Sequence, residues 1–223
     1  MKKFNLLIIA FLGISLGAFA QNNPSFGLRA GYNLSTWGGQ SVEDFSNLGD
    51  QFGAFKTEPT SGFHAGGYVN IPVSPNFAIE PGIQYSQKGM RVSQTFLDGG
   101  EMGFLSPRIN VTSNMHYIDM PLLAKFTTNQ GLQFFAGPQF SYLLDQNATI
   151  EGGILGFSYG QDFELNRGFR KFDVAISAGM GYQMQSGVNF SASYDYGLNS
   201  LDEGASNIDA YNRVAKVSIG YQF

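Results

Sequence analysis

The feature that most constrains how this chain folds is an alternation of apolar with small or polar residues, which recurs in eight segments. In the last segment, Val217, Ile219, Tyr221 and Phe223 alternate with Lys, Ser, Gly and Gln. A period of two is the signature of a β-strand whose two faces meet different surroundings. The segments are 26–34, 63–71, 77–85, 117–126, 133–142, 172–183, 188–197 and 215–223. They predict an all-β fold.

The size of the side chains on the apolar faces indicates which side of each strand turns outward. The lumen of an eight-stranded barrel is only wide enough for side chains to fill it, and these faces carry too many Phe, Tyr, Leu and Ile residues to fit there. The opposite faces are rich in Gly, Ser, Ala and Asn. Each segment also has about the length that crosses a bilayer when tilted. We therefore predict an eight-stranded antiparallel up-and-down transmembrane β-barrel of the outer-membrane type.

Aromatic residues gather near both ends of the predicted apolar band. One group consists of Phe26, Phe77, Phe126, Tyr182 and Tyr221. The other consists of Tyr32, Tyr85, Tyr142, Phe172 and Tyr194. Two such girdles are expected at the two membrane interfaces of an outer-membrane barrel.

The composition agrees with a membrane barrel and excludes several kinds of site. Charged residues make up 13% of the chain, against about 25% in soluble domains, while aromatic residues reach 15% and 29 residues are Gly. The chain has no cysteine, so it can form neither a disulfide nor a thiolate metal site. The sequence suggests no catalytic residues, no cofactor and no metal ligands.

The first twenty residues have the three parts of a secretory signal peptide. Lys2 and Lys3 precede an apolar stretch over 6–16, and Ala18-Phe19-Ala20 forms a cleavage site before Gln21. Removal of the two lysines takes the formal charge from −4 to −6. A mildly acidic mature chain without a basic stripe argues against nucleic acid as a partner.

The connections between the segments alternate between short and long. Tight turns follow three of the strands, whereas residues 37–61, 87–113, 145–170 and 200–212 form long connections. Outer-membrane barrels place short turns in the periplasm and long loops outside the cell. We expect one barrel domain over 21–223, located in the outer membrane, with both termini periplasmic.

Four stretches resemble a known family. They are "YIDMPLLAKF" (117–126), "FFAGPQFSYLL" (134–144), "FDVAISAGMGYQ" (172–183) and the closing "VSIGYQF". Together with "FGLRAGYNLS" (26–35) and "FAIEPGIQYSQKG" (77–89), they are similar to the PorT-type outer-membrane β-barrel proteins of Bacteroidota. The resemblance implies an outer-membrane location and an eight-stranded barrel, and the association of its founding members with protein secretion implies a secretion-related role. It implies no catalytic residues.

Seven charged residues have the parity of the predicted lumen, and they leave two interpretations open. They are Arg29, Glu80, Asp119, Lys125, Asp173, Asp195 and Lys216. Buried charges persist when they are paired and hydrogen-bonded, so a structural network is the favoured interpretation. An ion or proton path is the alternative, and it would make the protein a narrow solute channel.

A lipid A-modifying barrel enzyme is a third, less favoured hypothesis. His116 is predicted to face outward at the rim, where it could reach an acyl ester. A nucleophilic site also needs a Ser beside the His and a carboxylate that orients it, but Ser113 has the opposite parity. We favour a non-enzymatic barrel with a structural or interaction role.

Several partners follow from the predicted location. We expect contact with outer-membrane lipids and lipopolysaccharide, assembly as a monomer, and a possible protein partner bound through the long loops. The alternation that ends in Phe223, with Tyr221, Ile219 and Val217, resembles the signal by which such barrels are handed to the barrel-assembly machinery.

Prolines within three of the predicted strands conflict with a continuous ladder. Pro81, Pro121 and Pro138 lack the N–H that a closed barrel needs. We predict bulges or breaks in strand pairing within about two residues of Pro81 or Pro121. The side chains of Gln84, Tyr117 and Lys125 are expected to donate to carbonyls left without partners.

Overall fold

The computed structural model describes residues 23–52, 56–95, 108–154, 157–164, 170–202 and 209–223. The predicted signal peptide, residues 1–20, lies outside these ranges. The strands are β1 (Ser25–Gly38), β2 (Lys56–Ser74), β3 (Phe77–Thr95), β4 (Arg108–Thr127), β5 (Leu132–Ile154), β6 (Phe157–Glu164), β7 (Phe172–Gln183), β8 (Val188–Gly197) and β9 (Tyr211–Gln222). One helix, α1 (Gln40–Phe52), follows β1. Among the described residues, no helix combines the length and apolar character needed to span a membrane.

Eight of the strands close into a ring in which every neighbouring pair is antiparallel. The order is β1-β2-β3-β4-β5-β7-β8-β9, and β9 pairs with β1 from Gly27–Gln222 to Gly38–Tyr211. This confirms the predicted eight-stranded up-and-down barrel. The ninth strand, β6, pairs with β5 alone among the described strands. It lies in line with β7 on the same edge of β5, above the ring.

Four strands are much longer than the sequence pattern predicts, because pairing continues into segments expected to be long connections. β2, β3, β4 and β5 contain 19, 19, 20 and 23 residues, whereas about 9–11 residues cross a bilayer. The β5–β7 ladder ends at Tyr142–Phe172, yet β5 continues to Ile154. At about 3.3 Å per residue this extension spans roughly 40 Å. We call residues 87–95, 108–116, 143–154 and 157–164 the projecting wall.

The outward faces of the ring strands are apolar, as predicted. The exposed fractions of Leu28, Ile83, Met180 and Val217 lie between 56% and 59%. All five aromatic residues of the girdle near the short turns are exposed, and Phe77 contacts Phe126 with ring centroids 5.9 Å apart. The polar side chains of the opposite faces are buried inside the ring.

Two of the short turns depend on glycine. Gly131 and Gly187 both have a φ of 91°, in the region that disfavours residues with a Cβ. Each glycine amide also donates to a carbonyl three residues earlier, at Thr128 and Met184. These turns hold the ends of β4, β5, β7 and β8 close together, so the excess strand length appears at the opposite end of the barrel.

The three strand prolines interrupt the ladders beside them, which confirms the predicted irregularity. The expected pairs Val69–Pro81, Gly82–Pro121 and Leu122–Pro138 are missing, each together with one neighbouring pair, while the register on both sides is unchanged. Proline cannot donate to the adjacent strand, so the two-bond exchange of an antiparallel pair fails there. Because Pro81 pairs with Leu122 and Pro121 with Gln139, the three gaps adjoin one another across β2–β5.

The expected side-chain donors do not replace the missing bonds, and that part of the prediction is wrong. The Tyr117 hydroxyl donates to Met115 Sδ at 3.3 Å, and the Lys125 ammonium donates to Glu80. Gln84 makes no side-chain hydrogen bond within the described part of the chain. A buried ammonium gains more from a carboxylate than from a peptide carbonyl, so Lys125 is committed to its ion pair.

Replacing Pro121 with Ala tests the origin of these gaps. Pro121→Ala supplies an N–H opposite Gly82, and we expect the free energy of unfolding to rise by about 1 kcal/mol, since a carbonyl in a low-dielectric wall gains a donor. The exposed turn residue Pro75 provides the control, because Pro75→Ala adds no ladder bond. Urea titration of the folded fraction in detergent measures both variants. Equal destabilisation by the two changes would contradict the explanation.

Candidate functional site in the barrel lumen

The lumen near the short turns contains a cluster in which one carboxylate holds two cations, which we call the lower cluster. Arg29 donates to Glu80 Oε1 at 2.8 Å, and Lys125 pairs with Glu80 Oε2. Glu80 is 1% exposed. The Arg29 guanidinium also lies 4.5 Å from the ring centre of Tyr68. These three charges sum to +1.

Gly27 leaves the space that Tyr68 occupies in the lower cluster. A Cβ at Gly27 would overlap the Tyr68 ring. The Tyr68 hydroxyl in turn accepts a hydrogen bond from Asn189 Nδ2 at 2.9 Å. The large inward side chain of Tyr68 on β2 therefore fits because the facing position on β1, Gly27, has no side chain.

The middle of the lumen contains a second network, the central cluster, built around Asp119 and Lys216. Lys88 donates to Asp119 Oδ1 at 2.7 Å, and Lys216 lies 3.4 Å from Asp119 Oδ2. Lys216 also pairs with Asp195 at 2.5 Å. Gln139 joins the network by donating to Asp195 at 3.0 Å. Asp119 is fully buried, so both of its oxygens depend on these cations.

Asp173 lies apart from both clusters. Its Oδ2 accepts a hydrogen bond from Asn212 at 2.7 Å. No Lys or Arg among the described residues forms an ion pair with it. The structure thus joins six of the seven predicted lumen charges into two clusters and leaves Asp173 with a neutral partner.

Lys88 is the lumen charge that the sequence pattern misses. We predicted that a long connection begins at residue 87, whereas β3 continues to Thr95. The alternation that places Glu80, Gly82 and Gln84 inward continues through Ser86 to Lys88, so the parity of β3 could have identified it. With Lys88 included, four bases balance four acids in the lumen of the described barrel.

A third polar network surrounds His64. Its Nδ1 lies 2.7 Å from Asn33 Oδ1, and its Nε2 lies 2.8 Å from Ser218 Oγ. The Asn33 amide nitrogen donates to Ser86 Oγ and to two backbone carbonyls. Because the amide nitrogen of Asn33 makes these donations, the Asn33 atom that faces His64 is the side-chain oxygen, which can only accept. Nδ1 of His64 therefore carries the proton.

Apolar side chains block the lumen above the central cluster. Met115 and Tyr117 are fully buried and pack with Leu143 and Trp37. The Lys88 ammonium lies 4.6 Å from the Tyr117 ring centre. Tyr117 therefore separates the charged middle of the lumen from the upper end.

Among the described residues, no serine hydroxyl is hydrogen-bonded to the outward-facing His116. Its Nδ1 is hydrogen-bonded to the Tyr85 hydroxyl, and Asp145 is its register partner on β5. The Ser113 hydroxyl is buried without a hydrogen bond. In the described ranges, no group of three or more His, Asp or Glu side chains could hold a metal ion.

The residues of the predicted assembly signal lie on the outer face of β9. Val217, Ile219 and Tyr221 are 56%, 53% and 46% exposed, and Phe223 is 71% exposed. The Phe223 amide donates to the Phe26 carbonyl at 2.8 Å, so the last residue is bonded to the first strand. Their role in assembly stays a prediction.

A comparison with protein families identifies what kind of barrel this is. The family model for "Outer membrane protein beta-barrel domain" matches residues 19–203, which is most of the chain. The chain belongs to this family. This outer-membrane barrel has no match among curated proteins.

Solved structures similar to this outer-membrane barrel have low sequence identity to it and TM-scores below 0.5. Ail, the attachment invasion locus protein of Yersinia pestis in complex with the heparin analogue sucrose octasulfate, is 12% identical with a TM-score of 0.46, covering 90% of this chain and 99% of Ail. Neisserial surface protein A is 13% identical with a TM-score of 0.45, covering 90% and 97%. OprG from Pseudomonas aeruginosa is 13% identical with a TM-score of 0.43, covering 91% and 97%.

Proposed function

We propose that this protein is a closed, non-enzymatic outer-membrane barrel that anchors an interaction surface at one face of the membrane. The observation that carries the proposal is the packing of the lumen. Two ion-paired clusters fill its lower and middle parts, and Met115, Tyr117 and Leu143 fill the part above them. A barrel packed in this way is suited to holding other segments in place rather than to passing solutes.

The projecting wall supports an interaction role. Strands β3, β4 and β5 have about twice the length needed to cross a bilayer. β6 adds a further strand to the edge of β5. A paired sheet is a more ordered platform than an open loop, because its backbone groups are already bonded. The partner in this proposal is a protein, and the barrel acts as a monomer.

Conductance in planar bilayers tests the closed lumen. We expect no steady single-channel steps from the refolded protein, because the paired charges and the Tyr117 plug leave no continuous water path. The alternative function, a narrow solute channel, predicts small but reproducible steps that grow with salt concentration. Observing such steps would overturn the proposal.

The orientation in the membrane is part of the proposal. An even number of strands places both termini on one side, and short turns are periplasmic in this class of barrel. The projecting wall then faces outward, among the sugar and phosphate groups of lipopolysaccharide. Within the family, we infer that the chain belongs with the PorT-type proteins, on the strength of its "YIDMPLLAKF" segment.

Single cysteines test this orientation cleanly, since the chain contains none. We expect a membrane-impermeant maleimide to label Asp145→Cys on intact cells, because exposed Asp145 lies in the projecting wall. The matched variant Ser186→Cys lies in an exposed short turn and should react only after the outer membrane is permeabilised. The reverse labelling pattern would place the projecting wall in the periplasm.

A further inference from the structure

A small cavity lies between the two charged clusters of the lumen. The volume open to the centre of a water molecule is about 20 Å³. A cavity needs roughly 10–15 Å³ by this measure to hold one water. One water molecule or one monatomic ion therefore fits, whereas a sulfate or phosphate does not. Its lining includes Arg29, Lys216 and the hydroxyl-bearing residues Ser177, Ser191 and Ser193.

The lining contains two cations and no carboxylate. The carboxylates that pair with these cations, Glu80, Asp119 and Asp195, do not line the cavity. The cavity therefore borders a positively charged side chain of each cluster and none of their carboxylates. An anion there would offset the excess charge of +1 in the lower cluster, whereas a cation would add to it.

Several hydrogen-bond donors around the cavity lack partners. The hydroxyls of Ser177, Ser191 and Ser193 make no hydrogen bond to any other described residue. Because these three hydroxyls line the cavity and have no acceptor among the described residues, a ligand that accepts several hydrogen bonds at once would be stabilised in this position.

We propose that this cavity binds one monatomic anion, with chloride as the physiological occupant. The size selects a single atom, the charge of Arg29 and Lys216 selects a negative one, and the serine hydroxyls supply the donors. This inference is independent of the proposed interaction role, because it concerns the middle of the lumen alone.

Bromide replaces chloride in the test because its anomalous scattering identifies it in a crystal. The protein is refolded and crystallised in sodium bromide, and we expect an anomalous peak between Arg29 and the hydroxyls of Ser191 and Ser193. The variant S177A/S191A/S193A should lose the peak. Exposed serines provide the control variant, S61A/S74A/S186A, which should keep it. Bromide only at surface positions, or water in the cavity, would overturn the proposal.

A measurement in solution separates binding from crystal conditions. At equal ionic strength, chloride should raise the unfolding temperature of the unmodified protein by about 2–4 °C relative to gluconate, which is too large for the cavity. The same comparison should show no difference for S177A/S191A/S193A. An equal response to both salts in the unmodified protein would contradict the assignment, and so would a chloride effect that survives loss of the three hydroxyls.

Discussion

Glu80→Gln is expected to lower the free energy of unfolding by about 3–5 kcal/mol, since removal of one partner leaves buried charge uncompensated. Glu80 is the carboxylate that holds both Arg29 and Lys125 in the lower cluster. A neutral amide of the same size keeps the packing but leaves two buried cations facing each other. The loss is measured by urea titration, with the mobility difference between folded and boiled protein on gels reporting the folded fraction.

Two further variants show whether charge causes this loss. Glu58→Gln removes an exposed carboxylate from the same barrel and should change stability by less than about 1 kcal/mol. Glu80→Gln combined with Lys125→Met removes one of the two uncompensated cations, so it should be more stable than Glu80→Gln alone. A double variant at least as unstable as the single one would show that the loss arises from packing.

Asp119→Asn is expected to destabilise the barrel by about 3–5 kcal/mol, because it leaves the Lys88 ammonium without its carboxylate. Lys88 is almost completely buried, and its ammonium otherwise donates to the neutral Ser141 hydroxyl at 3.2 Å. Lys216 is affected less, since it keeps Asp195 at 2.5 Å. The same urea titration measures this variant.

Asp173→Asn provides the matched comparison, because it changes a carboxylate that is also buried and has no ion pair with any described residue. Its partner is the Asn212 amide, and the loss of a hydrogen bond to a charged acceptor costs about 1.5–3 kcal/mol. Asp119→Asn should therefore be clearly the more damaging change. Equal effects of the two variants would mean that the ion pair with Lys88 contributes little to stability.

The sequence alone determines the barrel and the direction of its faces. A strand has only two faces, and successive side chains point to opposite ones, so eight segments with one bulky apolar face can satisfy both faces only as a closed ring in lipid. The same parity places Glu80, Asp119 and Lys216 inside before any pairing is known. Proline chemistry is equally local, which is why the gaps beside Pro81 and Pro121 were predictable.

Only the tertiary structure decides which inward charges meet and how far the wall extends. Arg29, Glu80 and Lys125 come from three strands, and their contact depends on the register and stagger of the ring, which alternation does not encode. β3, β4 and β5 continue past the apolar band because each is paired on both sides there. β3 therefore carries Lys88 inward through a segment whose outward residues are no longer apolar. The sequence pattern ends where the lipid ends, whereas backbone hydrogen bonding continues beyond it.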